Sequence, residues 1–131
     1  MKPSTVTALV GGAALGWASA ESVRRLGRRG SVLGAGAALV TAAVIYPAAR
    51  RDHSPSAALA VEAAVVAATT GLAIAAAATD VPRGRRWLAA GWAAHAIFDF
   101  GQGPSTDSRL PAWYAPVCAG FDVAYAARLA S

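Results

Sequence analysis

The chain has 131 residues, a net charge of +5 and 56% hydrophobic residues, which is enough sequence for one domain. Its single cysteine excludes an intrachain disulfide, and one cysteine with two histidines is too few for a structural zinc site with four ligands. Because the arginines lie in short connections between apolar stretches, the positive charge is typical of a membrane protein, and we expect no nucleic-acid partner.

Five stretches that are almost free of charge follow one another along the chain. They are Ser4–Ala20, Ser31–Ala49, Ser56–Thr79, Trp87–Phe100 and Pro111–Ala127. About 20 apolar residues cross a bilayer as a helix, whereas the strands of a membrane barrel would alternate polar and apolar residues. The sequence therefore predicts an all-α fold, an integral membrane bundle of five transmembrane helices in a single domain, residues 1–131. The short fourth stretch is expected to include Arg85–Arg86 and Gly101–Gln102 at its ends.

The first stretch has two features of its own. Lys2, the apolar run and the small residues Ala18–Ala20 resemble a signal peptide with its cleavage site. Four arginines follow at once and oppose translocation of that flank, so we expect the helix to be retained. Gly12 and Gly16 form a small-x-x-x-small pattern, which predicts close packing against another helix.

Prolines predict where two of the helices end or begin, and one connection is longer than the others. Pro47 is expected to kink or end the second helix, and Pro111 suits the start of the fifth. The segment Gly101–Arg109 is the longest connection, and we expect it to act as a lid over a site.

The distribution of basic residues predicts the orientation in the cell membrane. The connections after the first and third stretches, together with the C-terminal tail, carry eight arginines, whereas the opposite side carries four basic residues. Basic residues favour the cytoplasmic side. We therefore expect a multi-pass protein with its N-terminus outside and its C-terminus in the cytoplasm.

Polar side chains recur at helical spacing in the last two stretches. His95 and Asp99 are four residues apart, and Tyr114, Cys118 and Asp122 are also spaced by four. Residues at this spacing share one face of a helix. Because ionisable groups in a bilayer usually face a protein interior or a cavity, the sequence predicts a buried site between these two helices.

Two carboxylic acids in unlike surroundings can act as a proton donor and a base. We expect Asp122 to be the acid, and Asp99, paired with His95, to be the base. The substrate is expected to be a lipophilic small molecule, terpenoid- or lipid-like, and the enzyme an isomerase, a cyclase or an epoxide-opening enzyme without a cofactor. The residues expected to bind this substrate are Tyr46, Glu62, Trp92, Phe98, Trp113, Tyr114, Cys118 and Tyr125.

Other functions remain open at this point. The polar groups could simply link helices, or the chain could be a small proton-coupled carrier that works as a homo-oligomer. It could also be a structural subunit of a membrane complex. His95, Asp99 and Asp122 are short of ligands for a metal, so no metal site is predicted.

The segment Trp87–Leu129 resembles the C-terminal half of a group of small bacterial multi-pass membrane proteins. The shared pattern on one helix is Trp-x-x-His-x-x-x-Asp, which here is Trp92, His95 and Asp99. On the next helix the pattern is a proline, a cysteine and an aspartate, here Pro116, Cys118 and Asp122. Those proteins often have histidines just after the first aspartate, where this chain has Phe-Gly-Gln. The resemblance implies that these positions are important. Because the group has no established activity, the resemblance implies none for this chain.

Overall fold

The computed structural model describes residues Met1–Ser131 and consists of five α-helices without strands. The helices are α1 (Pro3–Arg24), α2 (Gly27–Ala48), α3 (Ala57–Ala78), α4 (Val81–Gly101) and α5 (Tyr114–Ala130). The all-α prediction is therefore confirmed. We call the end of the bundle near the α1–α2 and α3–α4 turns the arginine-rich end. The opposite end, with the α2–α3 and α4–α5 connections, is the loop end.

The prediction of five membrane spans is confirmed only in part. Two helices, α2 and α3, are long and apolar enough to cross a membrane. The other three fall short for visible reasons. α1 ends with Glu21 and Arg24, and the first turns of α4 contain three arginines. α5 has 17 residues, which at 1.5 Å per residue gives about 26 Å, against about 30 Å for the hydrocarbon core.

Local capping explains two helix boundaries that differ from the apolar stretches. α4 begins at Val81 because the Asp80 carboxylate accepts a hydrogen bond from the Arg83 backbone N–H at 3.0 Å. That hydrogen bond holds the pKa of Asp80 below its usual value. α5 begins at Tyr114, not at Pro111, because residues 111–113 form a turn in which the Tyr114 N–H bonds to the Pro111 carbonyl at 2.9 Å.

The order in which the helices pack leaves one gap. α5 lies between α1 and α4, and α3 packs against both α2 and α4. α1 also approaches α2 beside their short connection, where Gly34 faces Val23. The backbones of α2 and α5 do not contact each other, although both helices flank α4. The space between α2 and α5 therefore becomes a groove with α4 as its floor.

Glycines allow α1 and α5 to pack backbone against backbone. A Cβ atom added at Gly16 would lie 2.1 Å from the Phe121 carbonyl oxygen, and one at Gly120 would lie 2.1 Å from the Leu9 carbonyl oxygen. Gly12 is equally close to Val117 on α5. The small-residue pattern in the first helix thus does predict a tight helix pair.

The apolar core lies toward the arginine-rich end. The Trp92 ring of α4 stacks on the Tyr125 ring of α5, with centroids 4.3 Å apart. Leu39, Leu88 and Leu129 are fully buried around this stack. The core therefore ties α2, α4 and α5 together just below the groove.

Large apolar side chains also cover much of the outside of the bundle. Leu15 is 60% exposed, Ile74 is 65% exposed and Ile97 is 74% exposed. The buried set, in contrast, includes a histidine, two aspartates and a glutamate. Large apolar side chains on the outside and ionisable groups among the buried residues are both unusual for a bundle surrounded by water.

Candidate functional site

A buried histidine–aspartate pair joins α4 to α5 at the floor of the groove. His95 Nδ1 lies 2.7 Å from Asp122 Oδ2, and the two side chains are 2% and 3% exposed. A hydrogen bond between an imidazole and a carboxylate is among the stronger ones in a protein interior. Each residue offsets the cost of burying the other, and the pair fixes the orientation of the imidazole ring.

Asp99 lies beside this pair but has no hydrogen-bond partner of its own. Its Oδ2 atom is 3.7 Å from His95 Nδ1, and its side chain is fully buried. Neither carboxyl oxygen of Asp99 meets a donor. The sequence predicted that His95 pairs with Asp99; in the structure the imidazole is 1.0 Å closer to Asp122. Asp99 is therefore the carboxyl group of the site that has no hydrogen-bond partner in the structure.

The three polar side chains line a cavity of about 320 Å³ within the groove. That volume is at the lower end of the range for small-molecule sites, roughly 300–1,000 Å³. The cavity is partly open, and its lining comes from α2, α4 and α5. Its walls are mostly apolar or aromatic. The lining residues are Ala38, Thr41, Ala42, Ile45, Tyr46, Trp92, His95, Asp99, Tyr114, Cys118, Phe121 and Asp122.

Two tyrosines narrow the groove at the loop end. The ring of Tyr46 on α2 meets the ring of Tyr114 on α5 edge to face, with centroids 6.1 Å apart. Tyr46 also packs edge to face on Phe98 of α4 at 5.2 Å. The Tyr46 hydroxyl is buried without a hydrogen-bond partner. The tyrosine pair thus bridges the two helices that do not touch through their backbones.

The structure brings most of the predicted site residues together in this groove. Tyr46, Trp92, Tyr114 and Cys118 line it with the polar trio of His95, Asp99 and Asp122. The tyrosine–cysteine–aspartate face of α5 is therefore directed at the histidine and aspartate of α4.

Four of the predicted substrate-binding residues lie elsewhere. Phe98 faces α3 and, with His95, borders a smaller cavity of about 200 Å³. Tyr125 is buried in the stack with Trp92 below the groove. Trp113 is 59% exposed, and Glu62 lines a separate cavity at the loop end.

The sequence analysis missed the wall that α2 contributes. The missed residues are Ala38, Thr41, Ala42 and Ile45, with Phe121 of α5. The four α2 residues have the i, i+3, i+4, i+7 spacing of one helix face. That spacing was available in the sequence, but no ionisable group on this face marks it as part of a site.

A second cavity lies at the loop end, and we call it the vestibule. It measures about 170 Å³. Tyr46 and Tyr114 line both the vestibule and the groove. Its other lining residues are Arg50, Ala58, Glu62, Gln102, Gly103, Pro104, Ser105, Ser108, Leu110, Pro111, Ala112 and Ala115.

Arg50 is the central charge of the vestibule, and sequence reasoning missed it. Its guanidinium group lies 3.2 Å from Glu62 on α3 and 3.1 Å from Asp107 in the α4–α5 connection. The Arg50 and Glu62 side chains are only 11% and 8% exposed. Backbone hydrogen bonds from Arg51 to Asp107 and from Arg109 to Ala49 hold the same connection in place. These contacts therefore hold the segment Gly101–Arg109, which was predicted to be a lid, in place over the vestibule.

His95, Asp99 and Asp122 are also the residues that could hold a metal ion. Their potential ligand atoms all lie within 4.8 Å of one another. Three protein ligands with an open position are typical of catalytic zinc, whereas structural zinc has four. The absence of a metal site stays a prediction of the sequence analysis.

Comparison with protein-family models, with curated proteins and with solved structures finds no match to this chain. Its function must therefore be inferred from the groove, the vestibule and the residues that line them.

Proposed function

We propose that this chain is a membrane-embedded enzyme that performs acid–base chemistry on a lipophilic, terpenoid- or lipid-like substrate. All five helices cross the cell membrane in this proposal, with the N-terminus outside and the C-terminus in the cytoplasm. The reaction is an isomerisation, a cyclisation or the opening of an epoxide. The observation that carries the proposal is the unpartnered, fully buried Asp99 beside the His95–Asp122 pair.

The distribution of residues supports a location in the bilayer. Two helices are long and apolar enough to cross a membrane. Exposed apolar side chains surround a buried polar trio, which is the arrangement expected when lipid, not water, surrounds the bundle. Lipid would also cover the apolar faces of α1, α4 and α5. These three helices are shorter or less apolar than α2 and α3.

The two carboxyl groups differ in their partners, and this difference assigns their roles. Neither carboxyl oxygen of Asp99 is engaged by another side chain, so Asp99 is the group that meets the substrate and donates the proton in this proposal. The Asp122 carboxylate is held by His95 and serves as the base. This assignment exchanges the roles that spacing alone suggested, because His95 lies closer to Asp122 than to Asp99.

The shape and the walls of the groove support a lipophilic substrate. It is partly open and lined by α2, α4 and α5, so in this proposal a substrate dissolved in the bilayer enters between these helices. Trp92 and Phe121 present aromatic faces to the groove, with ring centroids 5.8 Å apart. Such faces attract positive charge, including the carbocation that forms when an alkene or epoxide is protonated.

Deuterium exchange into a small panel of lipophilic probes tests the proposal. The full chain, purified in detergent, is incubated in D2O with an isoprenoid alcohol, a polyene hydrocarbon or a fatty epoxide. Mass spectrometry then measures the deuterium incorporated into carbon–hydrogen bonds, and the epoxide opened. We expect turnover of at least one probe, loss of that turnover in Asp99→Asn and Asp122→Asn, and its retention in Asp52→Asn. Asp52 lies in the exposed α2–α3 connection.

Two results would contradict the proposal. The first is full turnover in both groove variants, which would show that the reaction does not depend on these carboxyl groups. The second is no turnover of any probe by folded wild-type protein.

A proton-coupled carrier is the second candidate, because His95 borders cavities on two sides of α4. It lines the groove, and it also lines the smaller cavity between α3 and α4. Its Nε2 atom has no hydrogen-bond partner. A carrier would move a fluorescent lipophilic amine or acid into reconstituted vesicles when a pH gradient is imposed, and His95→Ala would abolish that flux.

A further inference from the structure

The vestibule offers a place for the polar end of the substrate, an inference that rests on the proposed function. We propose that the substrate is an amphiphile whose neutral hydroxyl head group binds in the vestibule, between Arg50 and Glu62. Its apolar body passes the tyrosine pair into the groove. Tyr46 and Tyr114 line both cavities, so one molecule can occupy the two together.

The unpartnered atoms of the vestibule define the chemistry of the head group. Arg50 Nε is a buried donor without an acceptor, and Glu62 Oε2 is a buried acceptor without a donor. A hydroxyl group both donates and accepts a hydrogen bond, so it has the partners that both atoms lack, and we assign it to them in this proposal. A carboxylate has no donor for Glu62, and an ammonium group has no acceptor for Arg50.

The charges of the vestibule also favour a neutral head group. Arg50 is shared by two carboxylates, Glu62 and Asp107. The cluster therefore has a net charge of −1, from one guanidinium and two carboxylates. An anionic head group would meet this negative charge in a partly buried site, where repulsion between like charges is poorly screened. A neutral head group avoids that penalty.

The position of the acids sets the distance between the head group and the reacting carbon. Asp122 lies eight residues after Tyr114 on α5. At 1.5 Å per residue the backbone positions of Tyr114 and Asp122, the proposed base, are about 12 Å apart along the helix. The vestibule and the groove share only the tyrosine pair, so the reactive double bond or epoxide lies on the other side of this pair from the hydroxyl group.

Binding of three probes with the same chain tests the inference. Hexadecanol, hexadecanoate and hexadecylamine compete with a fluorescent alcohol analogue for the full chain in detergent. We expect hexadecanol to bind about ten-fold more tightly than either charged probe, as the loss of one hydrogen bond to a charged group predicts. Similar affinities for the three probes would overturn the inference, and this comparison needs only the wild-type protein.

Two variants that change the charge equally separate hydrogen bonding from electrostatics. Glu62→Gln and Asp107→Asn each remove one negative charge beside Arg50, but only Glu62 lines the vestibule. Glu62→Gln should reduce the preference for the alcohol to about three-fold or less. Asp107→Asn should retain more of this preference, because it removes a charge but no hydrogen-bond acceptor of the vestibule. Equal loss in both variants would mean that charge alone sets the preference, which contradicts the hydroxyl assignment.

The binding and turnover experiments together distinguish failure of this inference from failure of the proposed function. A preference for the alcohol without turnover of any unsaturated probe refutes only the acid–base enzyme. Turnover without a preference for the alcohol refutes only the role of the vestibule. Asp99→Asn should abolish turnover and keep the head-group preference, because Asp99 does not line the vestibule.

Discussion

Replacing Gly16 by alanine tests how tightly α1 is packed on α5. The new Cβ atom would lie 2.1 Å from the Phe121 carbonyl oxygen, whereas ordinary contacts begin at 3.4 Å. The two backbones would have to separate by about 1.3 Å, since the atom that is struck belongs to the main chain and no rotamer can relieve the clash. Overpacking of this kind costs about 1–3 kcal/mol.

Gly11→Ala is the matched control, because nothing lies within 4 Å of a Cβ atom at Gly11. Both variants gain the same helix propensity, about 1 kcal/mol, so this contribution cancels in the comparison. The free energies of unfolding, measured by titration with SDS in mixed micelles, should therefore differ by about 1–3 kcal/mol, with Gly16→Ala the less stable. Equal stabilities would refute the backbone contact between the two helices.

The same variant should also affect the groove. Phe121 immediately precedes Asp122, so a displacement of α5 moves the carboxyl group that pairs with His95 at 2.7 Å. We expect Gly16→Ala to lose part of the deuterium exchange and Gly11→Ala to retain it. Unchanged exchange in a destabilised Gly16→Ala would show that α1 moves away while α5 stays in place.

Three further predictions follow from individual contacts. Ser56→Ala should lower the free energy of unfolding by about 1 kcal/mol in the SDS titration, because the Ser56 side chain caps the start of α3. Arg50→Gln should lower it by about 3–5 kcal/mol, since it leaves the buried Glu62 carboxylate without its cation. A chelator such as EDTA should leave deuterium exchange unchanged, because the proposed reaction moves protons through carboxyl groups and uses no metal; loss of exchange that added Zn²⁺ restores would contradict this.

Helical spacing was sufficient to predict the polar half of the groove. His95 and Asp99 share a face of α4, and Cys118 and Asp122 share a face of α5, because a helix brings residues four apart to the same side. The sequence also marks these residues, since ionisable groups stand out within apolar stretches. The sequence could not show whether His95 pairs with Asp99 or with Asp122, because that depends on how the two helices are rotated against each other.

Long-range contacts explain what the sequence could not reveal. Arg50 follows α2 in a charged connection, where it looks like a solvated residue. Its burial depends on Asp107, which is 57 residues away, and on Glu62. The wall formed by α2 was equally hidden, since alanine, threonine and isoleucine on a helix face are typical of any packed helix.

Only two of the five predicted spans are long and apolar enough to cross a membrane, and the others fall short for a related reason. The fourth and fifth stretches were identified by their low content of charge. α4, however, starts six residues before Trp87, and this extension contains three arginines. α5 starts three residues after Pro111. Helix boundaries depend on caps and turns such as those at Asp80 and Pro111, which hydropathy does not detect.

The stacked rings of Trp92 and Tyr125 insulate one face of the bundle from the other. All proton-exchanging groups of the groove lie on the loop side of this stack, and fully buried leucines surround it. Protons or water that reach Asp99 therefore meet a dry barrier before the arginine-rich end. In the proposed membrane orientation, this barrier would prevent the protein from conducting protons across the bilayer while the two rings stay in contact.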